Sequence, residues 1–204
     1  MMPIRPQPEP LDFDQNVRKP GKAFLLMVPH PSSKEWERRA YWQRSLPDLY
    51  EAYNGICAYS VEWIPENVGD PTVDHYMPKA NYPALAYEWS NYRLAALRFN
   101  RAKRDYLDVL DPFTLEPDWF ALNFPYPLIK PNAGISSTQS RMVIDTVNRL
   151  KLNDGISIRS RQRWISGFSN GLFPFDFLKR NAPFIAYELQ RQGLVDMIAS
   201  ILRN

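Results

Sequence analysis

Only two histidines occur in this 204-residue sequence, and one of them stands where it could do chemistry. His75 follows Asp74 at the end of a predicted strand, and Asn100-Arg-Ala-Lys-Arg104 lies downstream. A neutral imidazole near its ordinary pKa can accept a proton from water at physiological pH. One carboxylate (Asp74) and one amide oxygen (Asn100) form a sparse set of hard donors, which suits Mg²⁺ that keeps several waters. An ion held by few protein oxygens leaves positions for a phosphate oxygen and a departing oxygen. An isolated Asp-His pair is more often structural, so the weight falls on the wider stretch. His30, between Pro29 and Pro31 in a predicted loop, reads as incidental.

That stretch contains Cys57-Ala-Tyr-Ser60, Val73-Asp-His-Tyr-Met-Pro-Lys79, Trp89-Ser-Asn-Tyr-Arg-Leu94 and Asn100-Arg-Ala-Lys-Arg104. It resembles the HNH (ββα-metal) endonucleases, and more narrowly the small HNH proteins of bacterial anti-phage systems of the Septu and retron-associated kind. The resemblance implies an α+β fold: a β-hairpin and helix forming the ββα-metal core, embedded in a mainly helical chain. It implies His75 as general base, Asp74 and Asn100 as holders of one Mg²⁺ or Mn²⁺, and Asn91 as the residue that fixes the histidine loop. DNA is the implied partner, with an ATPase partner protein of a defence complex behind it. The residues do not choose between DNA and RNA, and they leave a homodimer open.

Two departures from the wider family stand out. Many relatives brace the hairpin with Cys-x-x-Cys pairs that bind zinc. Here Cys57 is the only cysteine, and the second pair's positions hold Ala96 and Phe99. One thiol cannot build such a site, so no structural zinc is expected. The final metal position is Asn100 rather than His, which favours Mg²⁺ or Mn²⁺ over Zn²⁺.

Arg98, Arg101, Lys103 and Arg104 place four positive charges close together with no acid among them. Beside a metal site these are candidate phosphate contacts; elsewhere they would read as a solvated helix face. Lys79 and Arg93 are weaker candidates. Arg159, Arg161 and Arg163 are predicted to fan across a helix surface. Charge is uneven: from Arg141 onward ten Lys/Arg face five Asp/Glu, whereas before it fifteen face seventeen. A basic C-terminal part suits a polyanion and equally an ordinary solvated surface.

The elements that must position these residues are predicted as follows. Residues 1–24, with Pro3, Pro6, Pro8, Pro10 and Pro20, read as an extended arm. Residues 25–125 would carry the N-terminal helices and the HNH core, and residues 126–204 a helical part packed on it. A helix is expected over Ser33–Asn54, capped at Ser32 or Ser33 and broken by Pro47 near Ser45. Ile56–Ile64 and Thr72–Tyr76 are expected to pair as the hairpin. Helix is expected again between Trp89 and Asp105, with Asn100–Arg104 on its last, solvent-facing turns or on a fresh helix. Residues 108–134 look like an ordered connector. Helices are expected after Ser136, over Ile156–Phe168, and over Phe175–Asn204 with a break at Pro183. Adjacent strand residues face opposite sides, so a bulge or strand end is required at Asp74–His75 if both are to serve one site.

The bulk properties agree with a globular chain. A 45% hydrophobic and 14% aromatic composition exceeds what a disordered chain carries. No apolar run reaches the length of a membrane span and the start lacks an apolar leader, so a cytoplasmic location is expected. No Gly-rich phosphate loop or Gly-x-Ser-x-Gly elbow points to another hydrolase class. The alternative kept beside the nuclease is a non-catalytic HNH-fold subunit that docks or binds nucleic acid.

Overall fold

Glu35 opens the first predicted helix by accepting from both the backbone N–H and the hydroxyl of Ser32, 2.8 and 2.7 Å away. In the computed structural model, which describes residues 1–124 and 126–200, this region breaks as the proline predicts. Helix α2 (Ser33–Arg38) is followed by a 3₁₀ turn over Tyr41–Ser45 and by α3 (Leu46–Ala52). Pro47 sits in the first turn of α3, where its missing N–H costs nothing. The chain is α+β in the coarse sense, mixed helix with two small antiparallel sheets among the described residues.

Two compact units are formed. One comprises Arg5–Ala58 and Ile64–Leu107, and contains every residue of the candidate site. Its N-terminal segment is not an extended arm beyond residue 13. A π-helical turn, Asp14–Arg18, leads into α1 (Lys19–Met27). Phe13, Val17 and Phe24 are buried, Phe13 against Trp89 and Tyr92, and Phe24 against Trp36. Each such side chain contributes about 2 kcal/mol, which outweighs the proline signal. Arg18 adds a bridge to Glu88, with 2.8 Å between Nε and Oε2.

The hairpin uses different strands from those expected. Strand β1 (Pro71–His75) pairs antiparallel with β2 (Tyr92–Ala96), in a register running from Pro71 opposite Ala96 to His75 opposite Tyr92. Tyr-Arg-Leu-Ala-Ala had read as helix by local preference. Burial of Tyr92, Arg93, Leu94 and Ala95 on both faces overrides that preference. Residues 56–64, the other expected strand, form only isolated bridges at Ile56 and Trp63 around a turn over 58–60, with Ala58 N–H donating to Leu94 O beside β2. Helix α4 (Leu97–Lys103) follows β2 directly and packs on both strands. The order is strand, long loop, strand, helix.

The other unit comprises Met1–Ile4, Tyr59–Trp63 and the chain from Asp108 on. The expected connector contains a hairpin of β3 (Phe120–Asn123) and β4 (Leu128–Pro131); residue 125 lies outside the described residues. Helix α5 (Ser137–Arg149) carries the predicted Ser136 cap with Gln139 reciprocating. Next come α6 (Gly155–Ser169), capped by Asp154, then α7 (Phe175–Asn181), α8 (Pro183–Arg191) and α9 (Val195–Ser200). Residues 201–204 of the expected last helix lie outside the description. Arg161 does not fan outward as predicted: it is buried and donates to Pro127 O and Asn153 Oδ1.

Candidate active site

β1 ends at His75, the strand end expected there as the alternative to a bulge, and its register is unbroken up to that residue. The His75 ring turns toward Trp42 and Tyr92, with centroids 4.8 and 5.3 Å away and both contacts edge-on. Its Nε2 lies 2.9 Å from Ala86 O. A carbonyl can only accept, so Nε2 carries the hydrogen and Nδ1 is the acceptor of the neutral ring. Burial pushes the His75 pKa down to about 3, helped by the charge of Lys79 and, less, of Lys103, and opposed by the Ala86 bond. The ring is neutral at pH 7.

Asn91 anchors the loop that carries this geometry. Its Oδ1 accepts from Met77 N–H at 2.8 Å, and its Nδ2 donates to Met77 O and Leu85 O. Tyr76 N–H donates to Asn91 O. Three of the four side-chain hydrogen bonds open to an amide are thus made, and the residue is buried behind the histidine. Asn91 touches backbone only, so its place is positional.

Asp74 points to α4. Its carboxylate oxygens lie 3.5 and 3.4 Å from Nζ of Lys103, whose ammonium also donates to His75 O at 2.8 Å. Lys103 is wholly buried. This corrects the sequence expectation of a phosphate contact there: the ammonium is enclosed under β1 and cannot reach a surface polyanion. Asn100, one turn earlier on α4, donates from Nδ2 to Thr72 Oγ1 and Val73 O. Those bonds assign the amide so that Oδ1 is the end not engaged by Thr72 and Val73.

Arg98, Arg101 and Arg104 remain at the surface, Arg98 half-buried against the Phe99 ring and the other two exposed. Arg104 ends α4 with φ 52° and ψ −128°, and Tyr106 N–H closes the turn back to Lys103 O. A positive φ at this turn position is normally glycine's. The turn sends Lys103 inward and Arg104 outward. Cys57 is buried, and its Sγ accepts from Ala96 N–H.

A cleft of about 510 Å³ opens on this unit, lined by Trp42, Thr72, Val73, His75, Lys79 and Asn100 among others. One of its walls, Trp42, has no signal in the sequence, and another, Lys79, has only a weak one. Trp42 comes from the 3₁₀ turn, far upstream, and nothing local marks it as a neighbour of His75. Lys79 was rated weak, although Pro78-Lys79 closes the motif. Among the described residues no group of three or more His, Cys, Asp or Glu gathers. A metal would therefore rest on Asp74 and Asn100, a carboxylate and an amide on one hairpin–helix unit. Both are hard oxygen donors of the kind such an ion takes, but the Asp74 carboxylate faces the Lys103 ammonium and is not among the residues that line the cleft with Asn100.

The chain matches no protein-family model and no curated protein. No described helix is long and apolar enough to cross a membrane.

Proposed function

We propose that this chain is a metal-dependent HNH-type endonuclease that hydrolyses phosphodiester bonds of DNA, acting as an effector of a bacterial anti-phage system. The observation that carries the reading is the shared cleft of His75 and Asn100. There the histidine's Nε2–H is turned onto Ala86 O, which reserves Nδ1 as the proton acceptor. A β-hairpin followed directly by a helix supports this reading.

Neutral His75 takes a proton from the attacking water, whose oxygen bonds to phosphorus as the 3′ oxygen departs. The products are a 5′-phosphate and a 3′-hydroxyl. Asp74 and Asn100 would hold one Mg²⁺ or Mn²⁺, which supplies positive charge to the phosphoryl group. Asn91 holds the loop, and Lys103 holds the Asp74 carboxylate and the His75 backbone. Arg98, Arg101 and Arg104 are the surface cations that would meet flanking phosphates.

One observation favours the rival reading of a docking subunit without turnover. A base pushed down to about 3 is far from the optimum near operating pH. Cleavage of supercoiled plasmid by wild type and His75→Ala, with Mg²⁺, Mn²⁺ or EDTA, separates the two. Nicking that needs metal and vanishes in the variant is expected. Wild type that stays inactive in every metal supports the docking subunit, and a variant that still cuts removes His75 from the mechanism.

A further inference from the structure

We infer that Lys79 supplies the positive charge that meets the scissile phosphate in the cleft beside His75 and Asn100; the inference rests on the endonuclease reading. Lys79 lines that cleft with both residues. Its Nζ stands 5.1 Å from the centroid of the Trp42 ring, and the same ring meets the His75 ring at 4.8 Å. One aromatic side chain therefore positions both the cation and the base. Pro78 O accepts from Asn81 and Tyr82 N–H, which pins the turn beneath Lys79.

The ammonium lacks the partner that its burial calls for. Among the described residues no carboxylate lies within ion-pair distance of Lys79. Asp74, which attracts it at longer range, already contacts Lys103. Burial lowers the Lys79 pKa below the usual lysine range. A half-buried cation without an anion is costly, and an entering phosphate offsets that cost. The other lysine near the site cannot serve, because Lys103 is enclosed. The arginines of α4 sit outside the cleft lining and suit flanking phosphates. Lys79 thus acts on the reacting group and affects the rate, while the arginines affect binding.

Two measurements on Lys79→Met, which keeps the stem on Trp42 and removes the charge, test this. The first is binding of thymidine 3′,5′-bisphosphate in EDTA, followed by tryptophan fluorescence. Wild type binds, and the variant binds at least about tenfold more weakly. The second is single-turnover plasmid cleavage beside duplex affinity. The variant's rate falls about 100-fold, its duplex affinity changes less than about threefold, and Lys79→Arg recovers most of the rate. Equal bisphosphate binding by wild type and variant, or a variant that cuts at the wild-type rate, overturns the inference alone. If bisphosphate binding depends on Lys79 yet wild type cuts in no metal, the endonuclease reading falls while the anion contact stands.

Discussion

Acidification should weaken the hairpin unit through His75, and the size of the effect follows from its surroundings. In the unfolded chain the imidazole titrates near its ordinary value of about 6.5. In the folded unit it is pushed down to about 3 by burial first, then by Lys79. Between these values the unfolded state binds the extra proton, so stability is complete above about pH 6.5 and falls as pH drops toward 3. At pH 5 the unfolded state is favoured by about 2 kcal/mol relative to neutral pH. That figure hardly depends on the folded value, because the folded ring is still unprotonated there. Against a total of about 5–15 kcal/mol for a domain, it is a large fraction. His75→Phe is the control: the ring fills the slot between Trp42 and Tyr92, and Tyr92 Oη still donates to Ala86 O. Urea unfolding of both proteins at neutral pH and at pH 5 gives two pH-dependent losses. Their difference cancels the other titrating groups. Wild type should lose about 2 kcal/mol more than His75→Phe. Equal losses would refute a buried, neutral His75 and with it the assignment of Nδ1 as the free acceptor.

Lys103→Met leaves the Asp74 carboxylate buried beside an apolar chain, and should destabilise the unit by about 3–5 kcal/mol in chemical denaturation; a loss below about 1 kcal/mol would mean that the pair is solvent-relaxed. Arg104→Gly should act in the opposite direction. Relief of the positive φ raises stability by about 1 kcal/mol, while loss of one phosphate contact lowers the salt slope of duplex binding by about 1. A destabilised variant would show that contacts other than its turn hold Arg104, and an unchanged slope would show that Arg104 meets no phosphate.

The two lysines near β1 illustrate how tertiary placement assigns chemistry. Both lie in a short basic context, and sequence alone ranked Lys103 above Lys79. The fold puts Lys103 one turn beyond Asn100 on the inner face of α4, where it neutralises Asp74 and grips the His75 carbonyl. Lys79 instead lies along the cleft. The difference is not in residue type but in which face of a helix or loop meets the hairpin.

Much that is local could be read directly from the residues. Pro47 and Pro183 mark breaks between helices, Ser32 and Ser136 mark caps, and the expected helix over Ile156–Phe168 is observed as Gly155–Ser169, because these signals act within one or two turns of chain. The candidate residues Asp74, His75, Asn91 and Asn100 were singled out through the resemblance of their stretch to the HNH endonucleases. Pairing was not legible. Which strand partners Pro71–His75 is decided by contacts between residues about twenty apart, and Tyr92–Ala96 takes that place against its helical preference because both its faces are buried. The arm's prolines were real, but burial of Phe13, Val17 and Phe24 outweighed them. Likewise only the tertiary structure decided that Asp74 faces an ammonium, that His75 lies neutral between two aromatic rings, and that Trp42 and Lys79 complete its cleft. Burial and charge proximity depend on the assembled core, and no short window of sequence contains them.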